Sequence, residues 1–194
     1  MCESISTHAT FLRRLDVAMG SLDIRIWGDP VLRTKAQPVE AFDDALRRLA
    51  DDMLETMRAA PGVGLAAPQV GVDRRLFVFD SGERSGAMCN PAVTWASEET
   101  QESEEGCLSI PEVYFPVVRA MHVRVEARDV HGNSIVEEVS GFEARIFQHE
   151  IDHLDGILFV DRLDDETRKE AMRAIRDMLL GEHPHGGPRP ARAL

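Results

Sequence analysis

Residues 148–153 read Gln148-His149-Glu150-Ile151-Asp152-His153, and two histidines four positions apart set the terms for reading the rest. On an α-helix such residues share one face, about 6 Å apart along the axis, so both ring nitrogens reach a single metal ion. Glu150 is turned about 100° from His149. That takes it out of the ligand set and leaves it free to act as general base on a water held there. Phe142, Ile146, Phe147, Ile151 and Leu154 surround the motif, which argues for a buried helix. A buried histidine without a partner is costly, so a metal explains the pair better than a solvated polar face does. The spacing predicts a helix over 141–154, closed by Gly156 in a left-handed cap.

A catalytic ion of this kind takes a third protein ligand and keeps one position open. In one protease pattern a glycine follows the second histidine by three and a third histidine comes three later. Gly156 fits, but the next position is Phe159, so that pattern fails. Glu166 and Glu170 sit in a densely charged stretch that reads as solvated surface, and His183 and His185 lie in a Gly/Pro-rich tail. The remaining candidate is Cys107, in Glu105-Gly106-Cys107-Leu108-Ser109. A thiolate is a soft metal ligand; the alternative is a small buried hydrophobe, which is the reading for Cys2 and Cys89.

Outward from these motifs, apolar residues at Phe42, Leu46, Leu49, Ala50, Met53, Leu54 and Met57 predict an amphipathic helix over 40–59, ended by Pro61-Gly62. Strands are expected over 23–27, 75–80, 92–96, 113–119, 121–129, 134–140 and 157–160, with a hairpin turn at 129–133. A last helix is expected over 165–180, acidic at its start and basic later. Strands in the middle with helices around them indicate an α+β fold rather than alternating βαβ units. In this arrangement antiparallel or mixed sheets pack around a central metal-binding helix, flanked by a helix in the N-terminal half and a C-terminal helix. Residues 1–21 read as an N-terminal extension, with Met19 a candidate translation start. Residues 22–181 read as a single domain and 182–194 as a flexible tail.

With 22 Lys+Arg against 34 Asp+Glu in 194 residues, the chain carries a formal charge of −12. That argues against an extended surface for DNA. No apolar run approaches the ~18 residues of a membrane span. Three scattered cysteines make no disulfide framework, consistent with a reduced, cytoplasmic protein.

Three stretches together, Gly62-Val63-Gly64-Leu65-Ala66-Ala67-Pro68-Gln69, Glu105-Gly106-Cys107-Leu108-Ser109 and Gln148-His149-Glu150-Ile151-Asp152-His153, resemble the three motifs of the peptide deformylases in order and spacing. The resemblance covers roughly residues 22–165. It implies one divalent ion held by Cys107, His149 and His153, typically Fe(II), with Ni, Co or Zn able to substitute. It implies hydrolysis of the N-formyl group from the formyl-methionine of newly made polypeptides, releasing formate. Glu150 would carry the proton from water to the leaving amine, while the Gln69 side-chain amide and the Leu108 backbone N–H stabilise the oxyanion. Val63, Gly64 and Leu65 match the positions that pair with substrate, and Val63 and Ile146 are candidates for the methionine pocket. Glu105 and Asp152 either orient ligands or are surface carboxylates. Seven residues after Cys107, where some members carry a basic residue, this chain has Tyr114, with Arg119 beyond. In some members the last helix touches the ribosome; here Arg168, Lys169, Arg173 and Arg176 are the candidates, interleaved with acids. The competing readings are a two-histidine metallopeptidase and a non-catalytic metal-binding homologue.

Overall fold

The computed structural model describes residues 22–181. The expected extension 1–21, the start at Met19, the tail 182–194 and its two histidines lie outside the described residues.

Helix α1, Asp44–Ala59, starts where the Asp43 carboxylate accepts from Leu46 N, four residues later than the apolar spacing suggests. It buries Leu46, Ala50, Met53 and Met57. Seven strands follow: β1 (Gly64–Ala66), β2 (Leu76–Asp80), β3 (Ser85–Ala96), β4 (Thr100–Cys107), β5 (Ile110–Ala120), β6 (His122–Arg128) and β7 (Ser134–Ser140). Helix α2 spans Gly141–Leu154 and helix α3 spans Asp165–Leu179. Five strands form one sheet in the order β1-β2-β3-β6-β7, and β4-β5 form a separate hairpin; all the pairings are antiparallel. The fold is therefore α+β, with both sheets antiparallel.

Side chains alternate across a strand, and β1–β2 use both faces. Ala66, Phe77 and Phe79 join the α2 cluster, while Leu65, Leu76 and Val78 join the α1 cluster. Phe147 of α2 meets the rings of Phe77 and Phe79 edge-on at 5.4 and 4.9 Å between centroids. A third cluster joins the β4–β5 hairpin to Phe159 and to Ala171 and Ile175 of α3. Helix α2 thus lies between the five-stranded sheet and the hairpin.

Two expected strands are absent. Residues 23–27 form no ladder; their backbone crosses the site loops instead, Arg25 N donating to Gln69 O and Trp27 N to Ser109 O. The run 157–160 turns into a 3₁₀ helix over Phe159–Arg162, because the Asp161 carboxylate accepts from Leu158 N and closes the turn. Conversely, β4 is a strand the pattern misses: Thr100-Gln-Glu-Ser-Glu-Glu is polar throughout and is held by its ladder to β5. β3 begins at Ser85 rather than 92, with a register break between Cys89 and Ala92 where Asn90 has φ 53°.

Candidate active site

The metal candidates come from two elements. His149 and His153 lie one turn apart on α2, and Cys107 ends β4 just before the tight turn into β5. Their donor atoms all fall within 4.8 Å of one another, and all three residues are buried. His153 Nε2 is 3.2 Å from His149 Nε2 and 3.2 Å from Cys107 Sγ. At ordinary bond lengths, two tetrahedral ligands of one ion stand about 3.3–3.6 Å apart, so the donor set fits a metal closely. Without one, burial pushes the Cys107 thiol up to about 12, while hydrogen bonds from Ser109 and Ile110 oppose it. Burial also moves His153 well below the usual histidine range, assisted by the charges of His149 and Arg119. A neutral ring keeps its lone pair for a ligand bond.

Glu150 is fully buried, and among the described residues neither carboxylate oxygen has a hydrogen-bond partner. Burial raises its pKa well above the usual value, and the negative charge of Glu105 adds to the effect. It lies against the backbone of β1: a Cβ placed on Gly64 would come within 2.2 Å of Glu150 Oε1. Only glycine admits the carboxylate there.

Gln69 is buried, and the short 3₁₀ turn Ala67–Val70 that carries it is locked by its own side chain, Oε1 accepting from Ala66 N at 2.8 Å. Its Nε2 donates to Ser109 Oγ at 3.2 Å and approaches Cys107 Sγ at 3.5 Å. The structure therefore brings Gln69, Cys107, His149 and His153 into one cluster. Leu108 follows Cys107 directly, with its side chain packed at Gly62. Val63 and Ile146 share the α2 cluster. The Leu65 side chain instead packs into the α1 cluster, so Leu65 offers the site its backbone alone. β1 is the edge of its sheet.

Around this centre runs a buried ionic network that the sequence shows only in fragments. Glu105 accepts from His149 Nδ1 at 3.1 Å, from Arg119 Nε and Nη2 at 2.9 Å each, and from Arg145 Nη1 at 2.8 Å. Burial works to raise the Glu105 pKa, but the hydrogen bonds and charges of Arg119 and His149 prevail and bring it to about 2. Arg119 also donates to Asp152, which pairs in turn with Arg162. Both carboxylates are thus interior groups, and Glu105 fixes the ring of His149. Arg119 is drawn inward, away from any role in gripping a peptide. Tyr114 lies across Gly106, where an added Cβ would come within 2.3 Å of its ring. Arg145 escaped the sequence reading; its signal was a charged residue on an apolar helix face, one turn before His149.

The model of the polypeptide deformylase family matches residues 21–169. A peptide deformylase of Parafrankia sp. (strain EAN1pec) is 50% identical over 167 residues, covering 86% of this chain and 91% of that protein. One from Acidothermus cellulolyticus is 53% identical over 154 residues, 79% and 85% of the two chains. The crystal structure of peptide deformylase from Thermus thermophilus superimposes with a TM-score of 0.78 at 49% identity, covering 84% of this chain and 97% of the other. Similarity this close runs through the segments that bring Cys107, His149 and His153 together, and the chain belongs to the polypeptide deformylase family.

Proposed function

We propose that this hydrolase removes the formyl group from the N-terminal formyl-methionine of nascent polypeptides, with residues 22–181 acting as one catalytic domain. The observation that carries this reading is Glu150, a buried carboxylate without a partner beside three converging metal donors. A group so placed lowers stability and needs a functional reason, and a raised pKa suits a group that both accepts and donates a proton near neutral pH.

Cys107, His149 and His153 would hold the divalent ion, which when bound polarises the formyl oxygen and makes a water molecule more acidic. Fe(II) is proposed on the family resemblance, with Ni, Co or Zn able to take its place. Glu150 takes a proton from the attacking water and passes it to the departing amine as the C–N bond breaks, so formate and a free amino terminus leave. Gln69, its carbonyl tied to Ala66 N, is held with Nε2 aimed into the cluster; with the Leu108 N–H it meets the oxygen that gains charge. The open edge of β1 pairs with the extended peptide through the backbone of Val63, Gly64 and Leu65. Val63 and Ile146 line the methionine pocket.

Cytoplasmic residence is proposed together with the nascent-chain substrate; among the described residues no helix is long and apolar enough to cross a membrane. A ribosome contact through the basic residues of α3 belongs to the same proposal, and it would have to displace existing ion pairs. Arg168, Arg173 and Arg176 already lie within ion-pair distance of Asp161, Glu170 and Asp177.

The test is formate release from a short formyl-methionyl peptide by anaerobically purified protein loaded with Fe(II) or Ni(II), beside the acetyl-methionyl peptide. Release from the formyl substrate alone is expected. Failure of a folded, metal-replete sample would return the chain to a non-catalytic role, and internal cleavage would make it a peptidase.

A further inference from the structure

A cavity of about 510 Å³ opens on another flank of α2, between that helix and strands β3 and β5. Gln148, Asp152 and Asp155 belong to its wall. Gln148 and Asp152 are each two residues from Glu150, a rotation of about 200° on the helix, so the cavity lies behind the catalytic face. Its charged lining is four cations, Lys35, Arg75, Arg119 and Arg162, against two carboxylates, Asp152 and Asp155. In a protein of net charge −12, this pocket carries an excess of two positive charges.

The ion pairs show where that excess sits. Asp155 is shared by Arg75 Nη1 at 2.8 Å and Lys35 Nζ at 3.7 Å. Asp152 is shared by Arg119 Nη1 at 2.5 Å and by the fork of Arg162. Behind Arg119, Glu105 and Arg145 offset each other. Each carboxylate therefore serves two cations, and each trio keeps one uncompensated positive charge. Lys35 and Arg162 have side chains 75% and 45% exposed, so both can turn toward a ligand, whereas Arg119 at the floor is fixed. Val93 and Val118, both exposed, give the cavity an apolar wall.

We propose that this pocket is a second ligand site, separate from the metal centre, for the dianion of a phosphate monoester. Its phosphate bridges Lys35 and Arg162, satisfying both trios at once. Its organic part lies on Val93 and Val118. The position of Arg119 at the floor, with its other arm on Glu105, places the bound anion two residues away from the support of His149.

The experiment is an amide-shift titration of the zinc-loaded protein with phenyl phosphate, ionic strength being held constant with chloride. Saturable shifts at Val118, Ala120, Ile151 and Asp155 are expected, and Lys35→Ala/Arg162→Ala should weaken binding by about tenfold or more. Lys35→Glu, on an exposed side chain, supplies the same comparison should the double variant fail to fold. Shifts confined to Gly64, Cys107 and Leu108, which would report the anion at the metal, would overturn the proposal. So would non-saturating shifts, or an affinity that neither variant changes.

Discussion

At the scale of single residues the site is governed by what surrounds each charge. Glu150 and Glu105 are both interior glutamates close enough to feel each other's charge, yet their surroundings drive them in opposite directions. Glu150 has no donors and is pushed toward the protonated form; Glu105 has four hydrogen bonds and stays ionised. Glu150→Gln should keep metal content and fold while turnover falls by about 10²–10⁴-fold, the usual share of a general acid–base group; metal analysis alongside formate release checks both halves. Cys107→Ser should loosen the ion, read as faster transfer to a chelator, because the softest donor of the three is lost. The residues that converge at the candidate site were legible in the sequence: His149, Glu150 and His153 by helix spacing, Cys107 by exclusion. Of their supports, Glu105 and Asp152 were read only as either ligand-orienting groups or surface carboxylates, and the guanidiniums of Arg119 and Arg145 that hold Glu105 inside were not read in that role at all. Nothing local marks Glu105 as interior when Glu104 beside it is exposed, and Arg119 and Arg145 reach it from elements 14 and 40 residues away along the chain.

At the scale of elements, the closest dependence is that of α2 on β1. The carboxylate of Glu150 occupies the space where any other residue at position 64 would put its Cβ. Gly64→Ala should therefore displace Glu150 and lower kcat much more than it lowers thermal stability; kinetics and a melting curve on the same preparation separate the two. The helices were readable because each has an apolar face, and Gly156, left-handed at φ 73°, closes α2 as expected; the Asp43 and Asp164 carboxylates that cap α1 and α3 were not read from the sequence, and α1 accordingly starts later than its apolar spacing suggests. The strands were readable where one face is buried. β6 alternates fully from His122 to Arg128. β4 has no such alternation, since its residues from Thr100 to Glu104 are largely exposed and its pairing comes from a neighbour. The 23–27 segment shows the reverse error: its backbone N–H groups at Arg25 and Trp27 bond to the carbonyls of Gln69 and Ser109, in a 3₁₀ turn and a tight turn, where no strand is available to receive them.

At the scale of the whole molecule, Glu105 joins β4, β5 and α2 through Arg119, Arg145 and His149. Glu105→Gln leaves two buried guanidiniums short of their counter-charge and should cost about 3–5 kcal/mol at neutral pH. The sign with pH follows from the depressed pKa. A carboxylate at about 2 when folded, against an ordinary value of 4.5, contributes its full stabilisation above the unfolded value and loses it as pH falls toward the folded one. The gap between wild type and Glu105→Gln should thus be widest above pH 4.5 and narrow toward pH 2, as urea midpoints across that range will show. The α+β class was anticipated from the order of elements, with the sheets left as antiparallel or mixed, whereas the division into a five-stranded sheet and a separate hairpin was not, because it turns on β3 pairing past that hairpin with β6, which leaves no local trace. That division has a thermodynamic consequence. Cys107 belongs to the hairpin and the two histidines to the helix, with 46 residues from Cys107 to His153, so a bound ion is also a cross-link closing a long loop between two separately packed clusters. Loaded protein should melt in a single cooperative step. Stripped of its ion, the hairpin should exchange its amide hydrogens well before the five-stranded sheet does, making the catalytic ion the fastener of the fold as well.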